Sequence, residues 1–397
     1  MVGMEQDGDA HPADPERFHV GPEELLGTGR TNRRWPRWWL WLVPAAVAAI
    51  VVAAVTQRGK PAAAPTSPTP TRATPATSST SPVVVTHFAL SVLLGEAGGW
   101  ELFGRGLDSV VRLQVAADRI TTTKFGGLGS GGPVSFLVGS NEAIIRPLDN
   151  VPGYAIPDGR PARQLTAGLS AGGFALPGPD PDHVWLQTGE ASHASMTLIG
   201  MDGRPSGTTI PIPAGFNPYP EPDGAGYLLL ARTDGRAVYD ARPGGARLRL
   251  RRVTTGTVLA IGPTRWLIRE CVTTHNCPTA TVEKTSGTRH VLHDIYGYEN
   301  GTEGLISPDG ATAAMTDPVT GTVHLVTLAS GVDVPLEVAV ETRSADGAIV
   351  WSPDSRWLFV ADTYGDLAAV ERSTGQLHHF GTVLPEVSQL AIRPSPR

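Results

Sequence analysis

The chain has 397 residues, a formal net charge of −6 and only 18% charged residues, while its 46 glycines and 35 prolines make up about a fifth of the sequence. So many helix breakers exclude a protein built from long soluble helices, and the low charge excludes a chain that is mostly solvated and disordered. The negative net charge argues against nucleic acid as a partner.

Residues 1–37 form a polar leader with Asp, Glu, Gly and Pro near its start, which predicts a disordered tail. The next segment, Trp38–Val55, holds no charge in 18 residues. A helix of this length spans about 27 Å, enough to cross the apolar core of a bilayer. Tryptophans gather at its N-terminal edge, where indole rings favour the headgroup level. The segment therefore predicts one transmembrane helix.

Basic residues flank this segment unevenly and predict its orientation. They are Arg30, Arg33, Arg34 and Arg37 before it, and Arg58, Lys60 and Arg72 after it. Because cytoplasmic flanks carry the excess of Lys and Arg, we expect the tail in the cytoplasm and the remainder of the chain on the other side of the cell membrane. The long leader favours an uncleaved signal anchor, and a cleaved signal peptide is the alternative.

Residues 56–82 form a linker rich in Pro, Ser and Thr. Its core, Pro61–Pro82, reads "PAAAPTSPTPTRATPATSSTSP". Such a composition builds no hydrophobic core and favours an extended, semi-rigid stalk. We expect this stalk to hold residues 83–397 away from the membrane as one extracytoplasmic domain.

The domain from 83 to 397 repeats. Its 315 residues correspond to seven units of 45, and a turn residue precedes a strongly apolar strand at steps of 42, 41, 41, 45 and 45. In the last full unit, turns of Asp, Ser and Gly separate four apolar runs, the signature of four short strands. Four strands on this stride are typical of one propeller blade. The pattern predicts an all-β, seven-bladed β-propeller, with six or eight blades as alternatives. The turn residues are Gly139, Pro181, Pro222, Pro263, Pro308 and Pro353.

The clearest repeat is "ISPDGATAAMTD" (Ile306–Asp317), which is answered 45 residues later by "WSPDSRWLFVAD" (Trp351–Asp362). These phrases resemble the repeats of TolB-type β-propellers, a bacterial, Trp-Asp-repeat-like group. The Gly-His and Trp-Asp dipeptides of the eukaryotic Trp-Asp repeat are missing. The resemblance implies an extracytoplasmic binding or scaffolding propeller, and it brings neither catalytic residues nor a cofactor. The residues expected to fix the repeat turns are Pro308, Asp309, Pro353 and Asp354.

The two ends of the domain predict how the ring closes. The first unit has strands at Trp100–Phe103, Val110–Leu113 and Ile120–Thr123 but no clear inner strand of its own. The C-terminal segment Val387–Pro396 reads as an inner strand followed by a Ser-Pro turn. Pairing it into the first unit removes the open edges of the ring. The alternative is an inner strand at Phe88–Leu93.

Two further features are candidates for local structure and binding. Cys271 and Cys277 lie close together in "CVTTHNC", which predicts a local disulfide if the domain is exported and free thiols if it is not. In "ARLRLRR" the residues Arg247, Arg249 and Arg251 alternate along a strand and so share one face. This face is either a solvated outer strand or a patch for anionic wall polymers or lipid headgroups.

The motifs that suggest chemistry lack the context that chemistry needs. "GLSAG" places Ser170 in a nucleophile pattern, but a Gly-rich loop without a following helix is predicted there. "GLGSGG" (Gly127–Gly132) also lacks the helix that would bind a phosphate. His290 and His293 face opposite sides if both lie on one strand, which argues against a shared metal. We predict no catalytic, metal-binding or cofactor-binding residue and no enzyme activity.

Aspartates recur at the repeat turns, where bonding to their own backbone explains them, although such turns also meet at one face of a ring. They are Asp180, Asp182, Asp223, Asp309 and Asp354. Together these features predict a membrane-anchored binding or scaffolding module for a protein or a cell-envelope polymer. The alternative is a propeller hydrolase or lyase that acts on cell-wall carbohydrate or peptide. That alternative requires two carboxylates from different blades about 5–10 Å apart across the axis.

Overall fold

In a computed structural model the chain divides into two compact units, Met1–Ala76 and Thr77–Arg397. Only the second contains described residues; the tail, the segment Trp38–Val55 and the linker lie outside them. Across the described part of the chain, no helix is both long and apolar enough to cross a bilayer. The described ranges are 83–95, 99–128, 133–148, 151–170, 173–189, 194–218, 228–235, 237–243, 248–271, 276–292, 304–341 and 347–394.

The described chain is almost entirely β-structure, in short strands that alternate with tight turns. The strands are β1 (Val83–His87), β2 (Trp100–Arg105), β3 (Ser109–Gln114), β4 (Arg119–Lys124), β5 (Val134–Val138), β6 (Glu142–Pro147), β7 (Tyr154–Pro157), β8 (Arg163–Gln164), β9 (Ala175–Pro177), β10 (His183–Thr188), β11 (Ser195–Gly200), β12 (Pro205–Pro211), β13 (Phe216–Pro218), β14 (Leu228–Arg232), β15 (Val238–Pro243), β16 (Leu248–Thr254), β17 (Thr257–Ile261), β18 (Arg265–Arg269), β19 (Thr279–Glu283), β20 (Arg289–Leu292), β21 (Gly304–Ile306), β22 (Thr312–Thr316), β23 (Thr322–Thr327), β24 (Asp333–Ala339), β25 (Ile349–Trp351), β26 (Trp357–Ala361), β27 (Leu367–Glu371), β28 (Leu377–His379) and β29 (Gln389–Pro394). The helical pieces are α1 (Leu90–Leu94), α2 (Ala167–Ser170) and the 3₁₀ turns Val115–Ala117 and Gly381–Val383.

Within the described ranges these strands form six sheets in a propeller-like arrangement. Five are blades: sheet 1 (β29, β2, β3, β4, β1), sheet 2 (β5–β8), sheet 3 (β9–β12), sheet 4 (β13–β16) and sheet 6 (β25–β28). Sheet 5 has eight strands, β17–β20 and β21–β24, whose two antiparallel halves meet through a short parallel pairing of β17 with β21. The prediction of an all-β, propeller-like fold is therefore confirmed.

The C-terminal strand β29 completes the first sheet, as the closure prediction required. It pairs antiparallel with β2 from Trp100↔Pro394 to Arg105↔Gln389, and β2 pairs on its other side with β3. The alternative inner strand at Phe88–Leu93 is wrong, because most of this segment belongs to α1. The fifth strand β1 was not predicted from the sequence; it lies at the outer edge against β4.

Hydrophobic side chains fill the spaces between consecutive sheets and between the two halves of sheet 5. Seven such clusters occur among the described residues, each joining one sheet or half-sheet to the next. The cluster between sheets 6 and 1 contains Trp100 and Phe359, whose rings meet edge to face at 5.4 Å. It also buries Leu90 and Leu94 of α1. The first and last parts of the domain therefore share one core.

The Ser-Pro-Asp turn after β21 is held by its own side chains. The buried Ser307 Oγ donates to Asp309 Oδ1 (2.7 Å) and accepts the backbone N–H of Thr312 (3.0 Å). Asp309 Oδ1 also accepts the N–H of Ala311 (3.0 Å). The turn that begins at Ser352 repeats each of these bonds 45 residues later. The repeated phrase is thus a turn that satisfies its own buried polar groups.

Ser355 lies in the turn that begins at Ser352 of sheet 6, and it joins this turn to the equivalent turn of sheet 5, which begins at Ser307. Its Oγ, which is buried, accepts the backbone N–H of Asp309 at 3.0 Å. Its φ is +61°, a left-handed conformation that is costly for any residue with a Cβ; 45 positions earlier, Gly310 adopts φ +74°. Arg372 of sheet 6 adds an ion pair to Asp309. The hydrogen bond from the Asp309 N–H to the Ser355 hydroxyl links sheets 5 and 6, and it offsets the strain in the backbone of Ser355.

The two roles of Ser355 predict different results for two substitutions. Ser355→Ala loses the hydrogen bond and keeps the strain, so we expect the free energy of unfolding to fall by about 1–3 kcal/mol. Ser355→Gly loses the same bond but relieves the strain, so it should be more stable than the alanine variant by about 1 kcal/mol. Urea unfolding of the full-length protein in neutral detergent measures both. Equal free energies of unfolding for the two variants would contradict the claim that the backbone of Ser355 is strained.

Candidate functional site

A channel lined by the innermost strands is the main candidate site. It encloses about 570 Å³ and is bounded by β5, β9, β17, β21, β25 and β29 or by the residues next to them. Its half-buried lining residues are predominantly aliphatic and aromatic: Phe136, Leu137, Phe174, Leu305, Val350 and Ile392. Because the strands hold these side chains in place, the channel is a preformed apolar site.

Few polar side chains face this channel. Ser135 and Gln389 line it, and the Gln389 side chain donates to the backbone oxygen of Val134 at 2.9 Å. Gly262, Pro263 and Pro308, which belong to or adjoin the repeat turns, also line it. The arrangement favours an apolar group over a highly charged ligand inside the channel.

The carboxylates of the predicted turn residues accept hydrogen bonds within their own turns. Pro308 lines the channel, whereas Asp309 is bonded to its own turn and to Arg372. Burial alone would raise the pKa of Asp309, but hydrogen bonds from Ser307 and Arg372 and the positive charge of Arg372 hold it below its usual value. Asp354, which follows Pro353, accepts hydrogen bonds within its own turn.

Two more of the predicted aspartates, Asp180 and Asp182, bond to their own turn or to the neighbouring sheet. Asp180 accepts the N–H of Asp182 and contacts His183 Nδ1 at 2.7 Å, which keeps it in its own turn. Asp182 Oδ1 lies 3.4 Å from the backbone nitrogen of Ser140 in the neighbouring sheet. Asp223 lies outside the described residues. Within the described ranges, no group of three or more His, Cys, Asp and Glu could hold a metal ion.

The remaining candidates are described in part. Cys271 and Cys277 are joined by a disulfide. Ser170 is exposed at the end of α2, so the predicted loop is in fact one helical turn. His290 lies exposed on β20, and His293 lies outside the described residues, as does part of the Gly127–Gly132 motif.

The structure describes two of the three residues of the predicted arginine patch. Arg249 is exposed on β16, and Arg251 pairs with the buried Asp240 at 3.1 Å. Arg247 lies outside the described residues. The pair with Asp240 could not be predicted, because it depends on the register between β15 and β16.

Sequence reasoning missed a buried cluster of charges where the chain closes. Glu101 of β2 lies directly opposite Arg393 of β29 in the ladder, and both are buried. Arg393 Nε donates to Glu101 Oε2 at 2.8 Å, Nη1 donates to the backbone oxygen of Gly139 at 2.8 Å, and Nη2 contacts Asp158. Gly139 and Asp158 belong to sheet 2. Arg393 therefore links the closing strand to two sheets.

Arg112 completes this cluster. It donates to both oxygens of Glu101, at 3.1 and 2.6 Å, and lies 3.1 Å from Asp158. Gln114 Nε2 adds a third donor to Glu101 at 2.7 Å. Two arginines thus neutralise two carboxylates. The sequence signal was a Glu and an Arg inside otherwise apolar strand runs, "WELFG" and "LAIRP".

The surroundings of Glu101 keep it ionised. Burial alone would raise the pKa of Glu101, but hydrogen bonds and charge from Arg112, the Gln114 amide and the charge of Arg393 outweigh burial and hold the pKa below its usual value. Asp158 and Glu101 do come from different blades. Both carboxylates pair with the same two arginines, Arg112 and Arg393.

No protein-family model and no curated protein sequence matches this chain. Solved structures with a similar fold include a functionally unknown protein from Desulfotomaculum acetoxidans DSM 771, with 14% identity over 75% of this chain and 99% of that chain and a TM-score of 0.49. TolB from Acinetobacter baumannii has 12% identity over 76% and 68% of the two chains and a TM-score of 0.41. AztD from Citrobacter koseri has 10% identity over 74% and 98% and a TM-score of 0.39. Likenesses this distant carry no argument about function, and the fold rests on the strand pairing of this chain.

The buried cluster predicts a specific dependence of stability on pH. Glu101→Gln removes one of two carboxylates from the buried Arg393 and the partly buried Arg112, so we expect a loss of about 3–5 kcal/mol in unfolding free energy at neutral pH. Because the folded pKa of Glu101 is lowered, its stabilisation is complete above the ordinary value of 4.5 and is lost as the pH falls through the lowered pKa. The difference between wild type and variant should therefore shrink in acid.

Urea unfolding of both proteins from neutral pH down to about pH 3 measures this difference. Glu142→Gln, in a half-exposed pair with Arg163, is the matched control and should cost no more than about 1 kcal/mol. A difference for Glu101→Gln that stays constant over the whole pH range would refute the assignment.

Proposed function

We propose that this chain is a membrane-anchored, extracytoplasmic β-propeller that binds a protein or a cell-envelope polymer without catalysing a reaction. The observation that carries the proposal is the apolar channel of about 570 Å³, whose lining includes Pro263 and Pro308 of the repeat turns. Such a site gains free energy by burying apolar surface of a ligand, at roughly 25 cal/mol per Å² before the cost of association is subtracted. The ligand that suits it presents an apolar segment to the channel.

The proposed ring has seven blades. Sheet 5 supports this count because each of its halves has four antiparallel strands in the order of a blade, and only two residue pairs join the halves. The seven hydrophobic clusters found in the described part of the chain support it too, since each joins one sheet or half of sheet 5 to the next, and the last one returns to the first. Sheet 5 then counts as two neighbouring blades.

The proposed location rests on the sequence that precedes the domain. The uncharged segment Trp38–Val55 supplies the anchor, the arginines before it favour a cytoplasmic tail, and the Pro-rich residues 56–82 supply the stalk. The disulfide between Cys271 and Cys277 is consistent with an oxidising compartment. A hydrolase or lyase finds no support in the channel lining, which is mainly apolar.

Site-specific photo-crosslinking in the native envelope tests the channel. A benzophenone amino acid is placed at Leu305 or Val350, which line the channel, and at Val332, which is 54% exposed outside it. We expect discrete adducts from the two channel positions and none from the control. Leu305→Asp should abolish the adduct formed from Val350, because a carboxylate in an apolar channel repels the apolar segment.

Two outcomes would contradict the proposal. One is equal crosslinking from channel and control positions, which would mean that the channel receives no specific ligand. The other is turnover of an ester, glycoside or peptide substrate panel by the purified full-length protein, lost in Leu305→Asp. The second outcome would favour the enzyme.

A further inference from the structure

One hairpin of sheet 4 gathers three arginines and one aspartate on one face. In the β15–β16 ladder, Arg242 lies directly opposite Arg249, and Asp240 lies directly opposite Arg251. These four residues share one face, because successive pairs two residues apart point the same way. Three guanidinium groups therefore surround one carboxylate on this face.

The face is organised by its one carboxylate. Asp240 is 1% exposed, and its Oδ2 accepts from Arg242 Nε at 3.0 Å and from Arg251 Nη2 at 3.1 Å. The guanidinium of Arg251 also lies 5.4 Å from the ring centre of Trp266, on β18 of the next sheet. Both arginine side chains stay about two-fifths exposed. Both guanidinium groups are therefore held in place while part of each side chain reaches solvent. Because they are already ordered, binding an anion costs less side-chain entropy.

Arg249 has no such structural role. It is exposed, and its side chain forms no hydrogen bond or ion pair among the described residues. Like charges directly opposite each other in a ladder are destabilising, so the Arg242–Arg249 pair costs the fold free energy. A residue that costs stability and forms no polar contact within the described part of the chain is the pattern expected where a ligand supplies the missing partner.

We propose that this face of sheet 4, formed by Arg242, Arg249 and Arg251, binds phosphate groups of a soluble anionic polymer. The planar fork of each guanidinium matches phosphate oxygens with two parallel hydrogen bonds. Two arginines fixed by Asp240 and a third beside them can hold successive phosphates of an extended chain. The proposal rests on the extracytoplasmic location proposed above and does not depend on the channel.

A polymer suits this face better than a bilayer. The chain leaves the described domain at β1 of sheet 1, whereas the arginine face lies on sheet 4, separated from it by sheets 2 and 3 in chain order.

The test measures binding of linear inorganic polyphosphate to the full-length protein in neutral detergent, by fluorescence anisotropy at several salt concentrations. We expect Arg249→Glu to weaken binding about fivefold to tenfold, because it removes one phosphate contact and adds repulsion, and to lower the salt slope by about one. Arg249→Gln should give a smaller loss in the same direction. Neither variant should lower the urea concentration at the unfolding midpoint, because the Arg249 side chain forms no hydrogen bond or ion pair among the described residues.

Arg252→Glu is the matched control. Arg252 is an exposed arginine on the same strand, but it points to the opposite face, opposite Tyr239. Its reversal changes the net charge equally and should weaken binding less than twofold. Equal losses for Arg249→Glu and Arg252→Glu would overturn the proposal, because net charge alone would then explain binding.

Two further binding assays test whether the face prefers a membrane surface or a carboxylate polymer to polyphosphate. Phosphatidylglycerol vesicles that bind the protein in an Arg249-dependent manner, without any binding of polyphosphate, would assign the face to the membrane and overturn the proposal. Polyglutamate of equal charge that binds as tightly as polyphosphate would overturn the preference for phosphate. Crosslinks from Leu305 should persist in Arg249→Glu, so failure of this face and failure of the channel are distinguishable.

Discussion

The contact between Arg393 and Glu101 fixes how the two ends of the domain meet. Both side chains are buried and stand directly opposite each other in the closing ladder. A shift of this ladder by one residue would move every side chain of β29 to the other face and take the Arg393 guanidinium away from Glu101 and Asp158. An unpaired buried charge costs several kcal/mol, so one register is strongly favoured. The charge cluster thereby specifies the closure that the hydrophobic clusters stabilise.

The rest of the fold depends on that closure. Sheet 1 obtains its inner strand from β29, and the core between sheets 6 and 1 includes Leu390 of this strand. The channel is also incomplete without it, because Leu390, Ala391 and Ile392 form part of the wall. A closed ring holds the other inner strands at fixed distances around the channel. The apolar site is therefore a consequence of the way the chain ends meet.

The sequence was informative wherever one local rule repeats. The Ser-Pro-Asp turns were predictable because Asp309 and its counterpart bond to their own backbone, which needs no distant partner. The closing strand was predictable because the first unit lacked an inner strand. The partners of Arg393 and Arg251 were not, since each depends on strand register and on residues more than ten positions away. The helix α1 escaped prediction because its apolar run, "LSVLL", also suits a buried strand.

Amide hydrogen exchange of the full-length protein in neutral detergent measures ring closure most directly, through peptides that cover β2 and β29. If β29 is locked to β2 by the ladder and by Arg393, its amides should exchange as slowly as those of the central strand β26, and only through global unfolding. In Glu101→Gln, protection of β29 should fall by at least tenfold more than protection of β26. Fast exchange of β29 in the wild-type protein, like that of a fraying chain end, would contradict the account.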